Sequence, residues 1–190
     1  MAMLSREKIQ ELGFASVGKD VQISELASFH GNERIILGDN VRVDDFCVLS
    51  AGVGGIVLGD NIHLAVACSL IGSGKITLKD FCNLSSRVAI YSSNDDYSGE
   101  AMSNPTVPSE FTRVTHAPVV LGKHVIIGSG SVILPGVVLE EGVAIGALSL
   151  VNKSCAEFGV YAGVPARRIR DRKRNLIELE AKLLLSRLKK

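Results

Sequence analysis

From Leu121 to Ala156 the chain repeats every six residues: LGKHVI, IGSGSV, ILPGVV, LEEGVA, IGALSL, VNKSCA. The first place of each hexad is Leu, Ile or Val, and the fifth is Val, Ser or Cys. A period of six is neither the 3.6 of an amphipathic helix nor the 2 of a half-buried strand. The register runs back through groups of three hexads that begin at Val17, Leu37, Leu58, Leu78, Leu121 and Leu139, at steps of 20, 21, 20, 43 and 18 residues. Three six-residue sides take 18 residues, so three of the five steps carry two or three extra residues, one carries 25 and one none. Every first place, from Val17 and Ile23 to Ile145 and Val151, is apolar. A repeat of this kind stacks on itself. It predicts a triangular prism in which each hexad is one short strand plus a turn, with place one pointing inward and the small residue at place five near a corner. Coils pairing as parallel strands about 4.8 Å apart make six of them roughly 30 Å tall.

Composition fits so narrow a core. Aromatic residues are 5% of the chain and Trp is absent, yet 46% is hydrophobic, so Val, Ile, Leu and small residues must fill it. Cys47, Cys68, Cys82 and Cys155 all fall on place five, which makes them small core residues. There is no CxxC to announce zinc or a disulfide framework. A net charge of +1 lacks the footprint of a nucleic-acid binder. No apolar run approaches the roughly 18 residues of a membrane span. Arg6, Glu7, Lys8 and Glu11 stand where a secretory signal would be apolar. The expectation is one cytoplasmic domain with neither nucleic-acid binding nor membrane insertion.

The organisation expected is a capping helix in 1–16, the prism in 17–157, an arm at about 96–120, and a tail in 158–190. Ser5 to Gly13 reads as a helix with a Ser N-cap and a Gly stop. A second helix runs from about Asn175 to Leu188. Its stripe of Leu176, Leu179, Leu183, Leu184 and Leu188 would pack on the prism or on a neighbouring subunit. The arm interrupts a well-kept repeat, carries Pro105, Pro108 and Pro118, and exceeds the length at which loops become uncommon and are often functional.

These hexads resemble those of the hexapeptide-repeat acyltransferases, over about Val17 to Arg170. The resemblance implies an all-β fold, a left-handed parallel β-helix of about six coils. It also implies a homotrimer with its sites at the seams, over which the arm would lie, and acetyl-CoA or another short acyl-CoA as co-substrate. YAGVPARRIR resembles the coenzyme A segment of the galactoside, maltose and xenobiotic acetyltransferases. Arg167, Arg168, Arg170, Arg172, Lys173 and Arg174 put six cations in eight residues just before a helix, whose dipole disfavours them. Coenzyme phosphates would relieve that conflict. By the same resemblance Ser129 offers a backbone N–H to the thioester carbonyl and Ala147 meets the pantetheine arm. Asn152 and Lys153 lie beside the coenzyme, and Arg167 and Arg170 meet its phosphates or adenine. Two positions depart from the pattern, Ile126 for a Trp and Asn152 for a Thr, which implies a different acceptor pocket.

The O-acetyltransferase relatives carry a catalytic His where this chain has Asp95. Asp, with a reference pKa near 3.9, is a poor base for a hydroxyl, whereas an amine acceptor needs only to be oriented. The stretch SSNDDYSGEAMSNPTVP resembles N-acyltransferases of nucleotide-linked 4-amino-4,6-dideoxy sugars, which places Asp95, Ser85 and the nearby Tyr97 at the acceptor. The function implied is N-acylation of such a sugar for surface polysaccharide. The alternative is O-acetylation, with His116 as base. A zinc enzyme of γ-carbonic-anhydrase type would need two His five apart, a spacing that His30, His63, His116 and His124 do not supply. A coenzyme-free scaffold would leave the basic tail without a purpose. No metal is expected.

Overall fold

The computed structural model describes residues 2–187. Its strands make three parallel walls. Wall one stacks Ser16–Val17, Ile35–Leu37, Ile56–Leu58, Ile76–Leu78, Val119–Leu121 and Val138–Leu139. Wall two stacks Gln22–Ile23, Arg42–Val43, His63–Leu64, Asn83–Leu84, Ile126–Ile127, Ala144–Ile145 and Gly159–Ala162, with Arg167–Asp171 antiparallel on its last edge. Wall three stacks Ser28–His30, Val48–Ala51, Ser69–Gly72, Ala89–Tyr91, Val132–Ile133 and Leu150–Val151. The hexad register is the ladder register: Leu37 lies on Leu58, Leu58 on Leu78, Leu78 on Leu121, and Leu121 on Leu139. The long corner before Leu121 therefore leaves the stacking undisturbed. All first-place residues are buried except Val17 and Phe29 in the top coil, which are half-buried. Wall two runs past residue 157, because Gly159–Ala162 continues its parallel ladder on Ala144–Ile145.

Place five has a second reason to be Ser or Cys. Cys47, Cys68, Cys82 and Ser131 donate to the carbonyls of Ala65, Ser85, Gly122 and Gly146 at 3.1, 3.2, 3.1 and 3.0 Å. Each of these carbonyls belongs to place two of the next coil. All four cysteines are free and buried. Burial pushes the Cys82 thiol up to about 12 and the Cys155 thiol to about 11, which suits packing and not nucleophilic attack. Place four turns the corner with a left-handed backbone, as at Asn40 (φ 56°), Phe46 (60°), Ala67 (62°), Arg87 (62°) and Leu148 (56°). Ladder bonds across the turn hold it there, for example Ala67 N–H to the Asp45 carbonyl at 2.9 Å.

Helix α1, Arg6–Glu11, starts at Ser5, whose hydroxyl accepts the Lys8 N–H, and Gly13 follows its end at φ 72°. Its Ile9 is 1% exposed and closes the top of the core. Helix α2 spans Asn175–Arg187 and buries none of its residues. Most of the leucine stripe therefore does not pack on its own prism: Leu176 is half-buried, Leu179, Leu183 and Leu184 are exposed, and Leu188 lies outside the described residues. Polar contacts hold the helix instead. Glu180 accepts from Lys123 Nζ at 2.5 Å and meets His124 Nε2 at 2.6 Å, and Arg187 donates to Asn61 at 2.8 Å.

Candidate active site

The arm leaves the prism after wall three of the fourth coil and returns on wall one of the fifth. Ser93–Asn94 pairs antiparallel with Thr115–His116, which ties the base of the arm shut. Between them Asp96 knots the outgoing strand. Its carboxylate accepts from Ser98 Oγ at 2.7 Å and from the N–H groups of Ser98, Ala101 and Gly99. Those bonds, the Ser98 hydroxyl first, hold its pKa down at about 2. Asp95, one residue earlier, has no hydrogen bond or ion pair among the described residues and is exposed. It lines a cavity of about 420 Å³ with His116, Ser73, Ser93, Pro105 and Val107. Of two adjacent carboxylates, one is spent on the turn and one is left open to a ligand. Tyr97 is 87% exposed and does not line this cavity.

The corner between walls two and three is a separate place. Ser129 and Ala147 follow one another down it at place three of coils five and six, and Ser85 stands at place two of coil four, in register with Gly128. Coils approach closely here: a Cβ on Gly128 would stand 2.5 Å from the Ala147 nitrogen, so only glycine fits. At the opposite corner the N–H groups of Lys19, Asp39 and Asp60 are capped by Asp39, Asp60 and Asp80 at 2.7, 2.7 and 3.0 Å. In coils four to six, place three of the wall-two/wall-three corner is Ser86, Ser129 and Ala147, with no such acid. The N–H groups of Ser129 and Ala147 find no acceptor among the described residues, and both residues are exposed. A row of free backbone donors on an open corner can take the carbonyl oxygens of an amide-rich chain or polarise a thioester.

Further down, Lys153, Tyr161, Arg167 and Arg168 line a pocket of about 330 Å³, while Asn152 is exposed outside it. Arg172, Lys173 and Arg174 directly precede α2, as expected, whereas Arg167, Arg168 and Arg170 lie on the strand Arg167–Asp171. Arg172 is no ligand contact. It is turned inward, donating to the carbonyls of His124 and Gly142 at 2.8 and 3.0 Å, and burial lowers its pKa. Arg168 pairs with Asp171 and Arg174 with Glu157, leaving Arg167, Arg170 and Lys173 without acidic partners among the described residues.

One chain thus brings Asp95 to His116, and Ser85 to Ser129 and Ala147, but wall three lies between the two groups. Ser93 and Ser73 carry no motif that marks them in the sequence. Reading SSN against THA as a paired arm base is the signal that could have exposed them.

A stacked prism with an open donor corner, a basic tail and a free carboxylate beside an arm is the architecture of a hexapeptide acyltransferase, and the chain belongs to that family. A family model for bacterial transferase hexapeptides (six repeats) matches residues 118–153. The chain is 56% identical over 181 residues to the dTDP-4-amino-4,6-dideoxy-D-glucose acyltransferase of Escherichia coli, covering 95% of this chain and 94% of that one. A crystal structure of a variant of AntD, an N-acyltransferase from Bacillus cereus, in complex with dTDP and coenzyme A matches with a TM-score of 0.94 at 44% identity. It covers 98% of this chain and 100% of that one. AntD in complex with dTDP and 3-hydroxybutyryl-CoA gives 0.93 at 44% identity, over 97% of each chain.

Proposed function

We propose that this enzyme moves a short acyl group, acetyl or one of similar size, from a coenzyme A thioester to the 4-amine of a dTDP-linked 4-amino-4,6-dideoxy sugar. The enzyme works as a cytoplasmic homotrimer, and the product serves surface polysaccharide. The observation that carries the reading is Asp95, an unpaired carboxylate on the cavity under the arm. The named substrates of the relatives are the second support. Trimeric assembly accounts for the separation found in one chain, because the Asp95 side of one prism can face the Ser85, Ser129 and Ala147 corner of the next.

The coenzyme lies along that corner, its phosphates by Lys153, Arg167 and Arg170 and its pantetheine against Ala147. The thioester oxygen takes the Ser129 N–H. The amine, as free base and hydrogen-bonded to Asp95 and Ser85, attacks the carbonyl carbon. The carbon–sulfur bond breaks, the amine loses one proton, and coenzyme A leaves as the thiol beside an amide product. Asp95→Asn keeps the size and loses the charge. It lowers kcat/KM about 10–100-fold, or roughly 1.4–2.7 kcal/mol of transition-state stabilisation. The rate of the variant still climbs with pH as the amine deprotonates. An unchanged kcat/KM would refute the placement of the acceptor at Asp95.

A further inference from the structure

We infer that His116 serves this same acceptor as a hydrogen-bond donor through Nε2–H, and that Ser93 is the positioning residue that keeps it in that form. The inference rests on the acceptor reading above and assigns two roles that reading leaves open. Ser93 and His116 face each other in the two-rung ladder at the base of the arm. Ser93 Oγ lies 2.8 Å from His116 Nδ1 and accepts the Ser73 N–H at 2.7 Å. A hydroxyl has one proton to give. Among the described residues, the sole acceptor within reach of the Ser93 proton is His116 Nδ1. Were Nδ1 protonated, Ser93 would receive two N–H groups and its own proton would be left without a protein acceptor. The chain Ser73 N–H to Ser93 O–H to His116 Nδ1 gives every donor its partner. It leaves the proton of the neutral imidazole on Nε2.

The backbone that starts this chain is fixed. Gly72 has φ 141°, and a Cβ there would meet Ser92 Oγ at 2.3 Å and the Ser93 nitrogen at 2.8 Å. No side chain fits at 72 without displacing Ser93. Besides His116, the cavity has Asp95 as its one titratable lining group. It therefore offers a carboxylate for an N–H and an imidazole N–H for an oxygen, the pair that a sugar bearing an amine beside hydroxyls can satisfy. An imidazole with its proton on Nε2 cannot take one from a hydroxyl nucleophile at that nitrogen, so His116 has no part as a base.

The test has a spectroscopic arm and a kinetic one, both on the full-length protein. Long-range proton–nitrogen NMR of histidine-labelled enzyme, with His116 assigned from the spectrum of His116→Gln, shows Nε2 protonated and Nδ1 shifted by an accepted hydrogen bond. Ser93→Ala loses that shift. In steady-state assays His116→Ala raises the acceptor KM about tenfold and leaves the acyl-CoA KM alone, and His116→Gln, whose amide can donate but cannot act as a base, recovers to within about threefold of wild type. A proton on Nδ1, an Nδ1 signal indifferent to Ser93→Ala, or a Gln variant as impaired as the Ala variant would each overturn the inference. The tautomer measurement needs no substrate. A wild type inactive toward every amino-sugar nucleotide therefore overturns the acceptor reading alone.

Discussion

Six cations stand between Arg167 and Arg174, and the fold gives them different work. Arg172 is a structural brace, its guanidinium turned onto carbonyls that the last turns of the prism leave open. Arg174 lies 4.1 Å over the Phe158 ring and pairs with Glu157. Arg167 and Arg170 are exposed on a strand with no acid to neutralise them among the described residues. Their variants should therefore fail in different assays. Arg167→Ala with Arg170→Ala raises the acyl-CoA KM several-fold, leaves the acceptor KM nearly unchanged and melts like wild type. Arg172→Ala loses roughly 1–3 kcal/mol of stability, since two carbonyls lose a charged donor, and its coenzyme KM stays near normal. A double variant with wild-type coenzyme KM would remove the phosphates from this strand.

At the scale of elements, α2 is the piece most loosely joined. Glu180 grips Lys123 and His124 in coil five, and seven residues later Arg187 reaches Asn61 in coil three. Seven helical residues rise about 10.5 Å and two coil spacings are about 9.6 Å, so the helix runs along the prism axis. Apart from these anchors the helix is largely exposed, and the Glu180 side chain is 11% exposed. Burial pushes its carboxyl up, but hydrogen bonds from Lys123 and His124 outweigh that and hold it below the ordinary value of 4.5. A lowered carboxylate pKa stabilises above the unfolded value, and the gain is lost as pH falls through the folded one. Acid should accordingly detach α2 below about pH 4.5 before the prism unfolds. Glu180→Ala should show the same detachment at neutral pH, as faster amide exchange across 175–187 with the walls unchanged. Exchange in α2 that ignores both acid and the substitution would show that these contacts do not hold it.

For the molecule as a whole, the walls, the buried first places, the arm and both helices are legible in the sequence because every coil repeats one instruction. A side chain at place one has the same surroundings in each coil, so one pattern reads them all. What escaped was carried by departures from the repeat. Ser85 falls across wall three from Asp95 and not beside it, which ten residues of sequence separation cannot reveal. That Asp95 is free while Asp96 is consumed depends on Ser98, Gly99 and Ala101 curling back, and their letters look like any turn. The leucines of α2 gave a stripe that is mostly exposed, whereas the anchors are Glu180 and Arg187, each meeting residues more than fifty positions away. The central claim remains that the acceptor is an amine, taken at a site without a histidine base. It is tested most directly by thiol release from acetyl-CoA with two acceptors that differ at one atom: dTDP-4-amino-4,6-dideoxyglucose and the dTDP-linked 6-deoxy sugar bearing a 4-hydroxyl. The account predicts transfer to the amine with at least a ~100-fold preference, the low end of what a missing general base costs a hydroxyl, and an amide product. Comparable acylation of the hydroxyl sugar would contradict it.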